Sequence, residues 1–304
     1  MTTVDAPFPG RCELGEGPHW DVARGRLRYV DINAGVVHDL DPRTGDDRPV
    51  AVAPPVSFAV PVGDGPELLC GTGSDVTLLA ADGHEAGRLH VEPGRPGNRI
   101  NEGKADPAGR LWFGSMSLTR APGVASLYCL DADGLRSVSG GMTVGNGIDW
   151  DLDRGRMYHI DSTTQQIDVH RYDLETGAVA DRRVFVRIDP TDGLPDGLTL
   201  DADGCLWLCL YGGGAIRRYD PEGTLMTTVH LPVQHVTSAA FGGPDLSTLF
   251  VTTSRHKLSE AERSAQPLAG ALLVVDAGVR GRPPGTVSPA VAAAVPSPPA
   301  APEP

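Results

Sequence analysis

One short apolar pattern recurs six times along this 304-residue chain, and that recurrence limits what it can fold into. The copies are Leu27-Arg28-Tyr29-Val30-Asp31, Leu68-Leu69-Cys70-Gly71, Leu111-Trp112-Phe113-Gly114, Met157-Tyr158-His159-Ile160-Asp161, Leu206-Trp207-Leu208-Cys209 and Leu249-Phe250-Val251-Thr252. Their first residues lie 41, 43, 46, 49 and 43 positions apart. A period of this length, with several strands per unit, is that of a propeller blade, which buries its apolar faces only against its neighbours.

The flanks repeat as well. Turns such as Asp106-Pro107-Ala108-Gly109 and Asp201-Ala202-Asp203-Gly204 precede the runs, with Asp21 to Gly25 and Asp151 to Gly155 one residue longer. Asp supplies local hydrogen bonds and Gly the left-handed backbone such turns need. A third strand follows most runs, as in Val37–Asp41, Leu127–Asp131, Val169–Asp173 and Ile216–Asp220, and then a less regular fourth. The high Gly and Pro counts, 38 and 27, fall mostly at turns between short apolar runs. The expected fold is all-β: a six-bladed β-propeller with four-stranded blades around a central channel, spanning residues 1–282.

The sixth unit lacks a strand after Leu272–Asp276, and the segment near Thr2–Ala6 is expected to supply it, closing the ring. Residues 255–266 read as an insertion in that unit, able to form one or two helical turns. Residues 283–304 are Ala- and Pro-rich with little apolar bulk, and are expected to be a disordered tail.

Several function classes recede on charge and composition. A formal net charge of -13 disfavours a nucleic-acid partner. No secretory pattern opens the chain and no apolar stretch is long enough to span a bilayer, so no membrane role and a cytoplasmic location are expected. Five scattered cysteines without a CxxC pair read as buried free thiols.

Ten or eleven residues upstream of the six runs stand Glu16, Ser57, Asn101, Asn146, Asp196 and Ser238. All are polar, at the start of each unit's innermost strand, so the repeat places them in a ring around the axis. Two carboxylates and an amide there, Glu16, Asp196 and Asn146, form an all-oxygen set suited to a hard divalent cation. Without one, the two carboxylates repel and one pKa rises. The nine histidines show no HxH or HExxH spacing for zinc, and no GxSxG supports a serine hydrolase.

These residues carry a family resemblance. Gly15-Glu16-Gly17-Pro18, Asn98-Arg99 through Asp106-Pro107-Ala108-Gly109-Arg110, Gly114-Ser115-Met116, Asn146-Gly147, Pro195-Asp196-Gly197 and Thr237-Ser238 resemble, in order, the senescence-marker-protein/gluconolactonase/regucalcin family. The match runs from about residue 10 to about residue 282. The resemblance implies a six-bladed propeller lactonase domain with one divalent metal, calcium first and zinc, manganese or magnesium as alternatives. It implies metal ligands Glu16, Asn146 and Asp196, substrate contacts Arg99, Asn101 and Glu102, and a small sugar lactone as substrate. After Met116 the chain departs from the regucalcin type: Ser117-Leu118-Thr119-Arg120 holds no acidic substrate contact.

The expected chemistry is metal-assisted opening of the lactone to its aldonic acid. Asp196 is the candidate catalytic base, and Arg99 the donor to the carbonyl or oxyanion. Two other readings are a non-enzymatic calcium-binding scaffold and a phosphotriesterase-like hydrolase at the same metal. The particular lactone and the oligomeric state are not readable from the residues.

Overall fold

The structure, a computed structural model, describes residues 3–298 and is built from small antiparallel sheets in a propeller-like arrangement. The innermost strand of each unit is labelled here: β1 (Gly15–Asp21), β2 (Val56–Pro61), β3 (Asn98–Ala105), β4 (Gly145–Asp151), β5 (Leu194–Leu200) and β6 (His235–Gly242). Each contacts the next, and β6 contacts β1, so the inner strands close a ring. The six apolar runs are the second strands, each paired antiparallel to its inner strand.

Six separate sheets were expected, and the hydrogen bonding gives five. The last two four-strand runs share one eight-stranded sheet. A single pairing, Tyr211 with His235, joins them, and the two rings stack there at 4.1 Å. The first unit's fourth strand is also divided, into Asp46–Asp47 and Val50–Ala51.

The repeated turns do what their residues predict. Asp106 Oδ1 accepts from the Ala108 and Arg110 amides, while its Oδ2 accepts from Trp112 Nε1 at 2.9 Å. Asp201 repeats this with Asp203, Cys205 and Trp207. Gly109 and Gly204 close these turns at φ 83° and 79°. One carboxylate thus fixes a turn and anchors the indole of the strand behind it. Both aspartates are fully buried, and their partners satisfy what would otherwise be a costly charge.

The ring is closed by the chain's own start. Val4–Asp5 pairs with Leu273–Asp276, Val4 opposite Val275, giving the sixth unit its missing strand. The insertion forms one short helix, Glu260–Ala265, started by a Ser259–Glu262 capping box.

The expected disordered tail is corrected over residues 283–298. Val287 pairs with Val62, its amide donating to the Pro61 carbonyl, and Ser288 donates to the Gly109 carbonyl. Ser288 also caps a short helix, Pro289–Ala293. Val287, Val291, Ala292 and Val295 are buried with Val60, Leu69 and Phe113. The segment has too little apolar bulk to make a core, but it joins one already formed. The rest of the expected tail, 299–304, lies outside the described residues, as do Met1 and Thr2.

Among the described residues no helix is long and apolar enough to cross a membrane. All five cysteines are buried and free.

Candidate functional site

Every inner strand breaks register with its neighbour near its beginning. The breaks fall at Glu16/His19, Val56/Ala59, Ile100/Gly103, Asn146/Ile148, Pro195/Leu198 and Val236/Ser238. A bulge re-aims the side chains beside it and ends regular pairing. The six breaks coincide with the six ring positions, so the ring is a set of equivalent distortions as well as equivalent residues.

Glycine makes the ring tight. Glu16, Asn146 and Asp196 are each followed by Gly. A Cβ on Gly147 would stand 2.7 Å from the Asp196 carbonyl oxygen, and one on Gly197 would collide with the Ser238 side chain. Successive inner strands touch where the polar side chains turn inward. The recurring polar-Gly pair was the sequence signal for this close approach.

A cavity of about 330 Å³ opens at this end of the strands. Glu16, Arg99, Asn101, Asn146 and Asp196 all line it. Glu16, Asn146 and Asp196 are only 8%, 5% and 7% exposed, so their polar atoms must find partners within the site. Asn146 Nδ2 donates to Asp196 Oδ1 and, at 3.1 Å, to Ser162 Oγ. Both amide hydrogens are used, and Asn146 Oδ1 is left buried with no partner. Glu16 Oε2 accepts from the Gly17 amide at 3.1 Å.

Burial, and then mutual repulsion, push both carboxyls well above their ordinary range. Asp196 and Glu102 act on Glu16, while Glu102 acts on Asp196. The donor set fits a hard divalent cation: two repelling carboxylates and one orphaned amide oxygen converge, all of them oxygen. No group of three or more His, Cys, Asp or Glu gathers among the described residues, because the third candidate ligand here is an amide.

Arg99 lies beside this pair. Its Nη1 donates to the Ile100 carbonyl at 2.8 Å and to Ser57 Oγ at 3.1 Å, and Ser57 in turn donates to the same carbonyl. Burial pulls the guanidinium down to about 10, against the pull of Glu16 and Asp196, so it stays charged at neutral pH. Ser57 therefore positions Arg99 and does not line the cavity. Asn101 Nδ2 donates to the Gly145 carbonyl at 2.9 Å, which turns its carbonyl oxygen away from that bond.

Glu102, expected as a substrate contact, is placed apart from Arg99 and Asn101. It is 5% exposed and absent from the cavity wall. On a strand, neighbours alternate sides, and the bulge between Ile100 and Gly103 sends Asn101 to the cavity and Glu102 inward. Burial raises its carboxyl to about 7, opposed by Lys104 and reinforced by Asp149. Lys104 itself bonds Asp149 Oδ2 and the Leu198 carbonyl, each at 3.1 Å. Lys104 and Asp149 stand toward the other ends of the same strands, where residues 282–285 of the tail wall a second cavity of about 400 Å³, while Glu102 lines neither cavity and acts on Glu16 and Asp196.

Sequence reasoning missed part of the wall. Tyr211, Arg120, His256 and Lys257 also line the first cavity. The last two come from the insertion, which has no counterpart in the other units and so offers no repeat position to compare.

The family model for the SMP-30/Gluconolactonase/LRE-like region matches residues 14–255. The chain is 37% identical to the pentonolactonase XacC of Haloferax volcanii over 289 residues, covering 92% of this chain and 97% of that one. It is 36% identical to regucalcin of Oryctolagus cuniculus over 290 residues, with the same coverage. Among solved structures it is similar to regucalcin of Agrobacterium tumefaciens, described as a calcium-binding protein. That similarity has a TM-score of 0.85 at 28% identity and covers 91% of this chain and 94% of the other.

Proposed function

This chain belongs to the SMP-30/gluconolactonase/LRE-like family, and from that premise we propose that it is a six-bladed propeller hydrolase that opens a sugar lactone at a divalent cation. The closed ring of six inner strands supports counting the eight-stranded sheet as two blades. The observation that carries the functional reading is the buried, unpartnered Asn146 Oδ1 in a cavity wall shared with two carboxyls whose pKa values are raised.

In this reading Glu16, Asn146 and Asp196 hold the cation, calcium in the first instance. When bound, it polarises the lactone carbonyl and acidifies a water. Asp196 accepts a proton from the attacking water through the oxygen that Asn146 leaves free. Arg99, held by Ser57 and the Ile100 carbonyl, donates to the carbonyl oxygen as negative charge develops there. Asn101, tied through its amide nitrogen to β4, offers its oxygen to a sugar hydroxyl. Glu102 lies behind the ligands as a buried acid and makes no sugar contact.

The test is acid release from an aldonolactone with and without chelator, run beside a phosphotriester. Chelator-sensitive release from the lactone supports the reading. Release from the phosphotriester alone replaces it with phosphotriester hydrolysis. Cation binding without turnover of either would make the protein a binding scaffold.

A further inference from the structure

We propose, resting on the lactonase reading, that the cavity takes a lactone carrying a second anionic group, a carboxylate or a phosphate, on the carbon remote from the ring carbonyl. The carrying observation is the distribution of unpaired cations. The chain is strongly acidic, at a formal net charge of -13, and most of its Lys and Arg side chains have a carboxylate within 4.0 Å. Seven have none among the described residues: Arg11, Arg156, Arg183 and Arg187 lie elsewhere, while Arg99, Arg120 and Lys257 all line the same cavity.

They occupy two levels. Arg99 is deep, beside Glu16 and Asp196. Arg120 and Lys257 are exposed at the rim and come from segments far apart in sequence. Both have left-handed backbones, at φ 57° and 64°, and they are two of only five such non-glycine residues described. A bulky residue takes that conformation at a cost and keeps it where the surroundings impose it. Glu13, 4.0 Å from the wall residue His256, is engaged by Arg255 at 3.0 Å and Arg263 at 2.8 Å and pairs with neither Arg120 nor Lys257.

A neutral sugar lactone is served by the deep groups, and two unpaired cations across its outer end add nothing to its recognition. An anion there would meet charge-assisted donors from two sides. The loop after Leu111–Ser117, which holds no acidic side chain, is the one that delivers Arg120.

The experiment uses the cation-loaded protein on three substrates: a neutral aldonolactone, an aldarolactone with a free carboxylate, and an aldonolactone 6-phosphate. The double variant Arg120→Gln/Lys257→Gln is compared with the unaltered chain. The proposal expects kcat/KM at least about tenfold higher for one acidic lactone than for the neutral one. It expects that advantage to disappear in the double variant through KM, with the neutral substrate unaffected. The preferred acid tells carboxylate from phosphate. Equal kcat/KM for all three lactones, or an advantage that survives both substitutions, overturns it. If no lactone turns over, the lactonase reading falls by itself. Calorimetry with a hexitol 6-phosphate and an aldarate against the neutral hexitol then decides: anion binding lost in the double variant supports the anion site, and no difference refutes it.

Discussion

Asn146 gives both of its amide hydrogens away, one of them to Asp196, and its carbonyl oxygen is left buried and alone. A buried acceptor without a donor costs about 1–3 kcal/mol, and a fold keeps such a group where something else pairs with it. Glu16 and Asp196 are unfavourable in the same place for a related reason, since burial makes each resist ionisation, reinforced by Asp196 and Glu102 on Glu16 and by Glu102 on Asp196. One divalent cation, as proposed above, would relieve all three.

Arg99 is expected to act on turnover alone. Arg99→Gln removes the charged donor and leaves the three candidate oxygen ligands in the chain. Turnover should fall by about 100- to 1,000-fold, as for loss of one oxyanion donor. The rise in melting temperature on adding cation should be kept, and its loss would mean that Arg99 organises the ligands.

The cation's stabilising effect should grow with pH. Glu102 is raised to about 7 and the two ligand carboxyls are raised as well. A raised folded pKa means that the cation-free fold binds more protons than the unfolded chain, so its stability falls as pH climbs from about 4.5 through 7. In the proposed site a cation would bind the deprotonated carboxylates and remove that loss. His19, lowered to about 4, and His159, lowered to about 3, act in the other sense. Buried neutral, they lose stability for the fold as pH drops below about 6.5, but equally with and without cation. The increment in melting temperature from added cation is therefore expected to be larger at pH 8 than at pH 5. Equal increments would remove the carboxylates from the site.

Gly147→Ala tests the close approach of β4 and β5. Its new methyl would meet the Asp196 carbonyl oxygen, forcing the backbone under a candidate ligand to move. The expected cost is about 1–3 kcal/mol of stability together with weaker cation binding, read by thermal unfolding with and without cation. Gly25→Ala, at a left-handed turn with no atom within 4 Å of the added carbon, serves as a control that loses stability but not cation binding.

Deleting residues 283–304 should destabilise the propeller. Three valines leave the core, each contributing about 1.5–3 kcal/mol when fully buried. A fall in melting temperature of about 10 °C or more is expected. An unchanged value would mean that this segment adds nothing.

The sequence carried the repeat and the turns with little loss. Each unit spells its own second strand, and the aspartate of Asp106-Pro107-Ala108-Gly109 serves both turn and indole, so local chemistry and fold agree. The strand partner of Leu273–Asp276 was legible because one unit came up a strand short. Glu16, Asn146 and Asp196 converged on paper because equivalent repeat positions converge in space. The burial of Glu102 off the cavity wall was not legible, because the local backbone at the Ile100/Gly103 register break decides which of two adjacent polar residues faces the cavity. The tail was misread because its order comes from a core made elsewhere, and composition reports only what a segment can do alone. His256 and Lys257 were invisible as wall residues because their segment lies outside the repeat.

The most direct measurement is anomalous diffraction from crystals soaked in a manganese or calcium salt with an aldonate. The account predicts one strong peak within about 2.6 Å of oxygens from Glu16, Asn146 and Asp196, with the aldonate reaching Arg99 and Asn101. A peak bound by other residues, or an aldonate seated with no cation at these three, would contradict it.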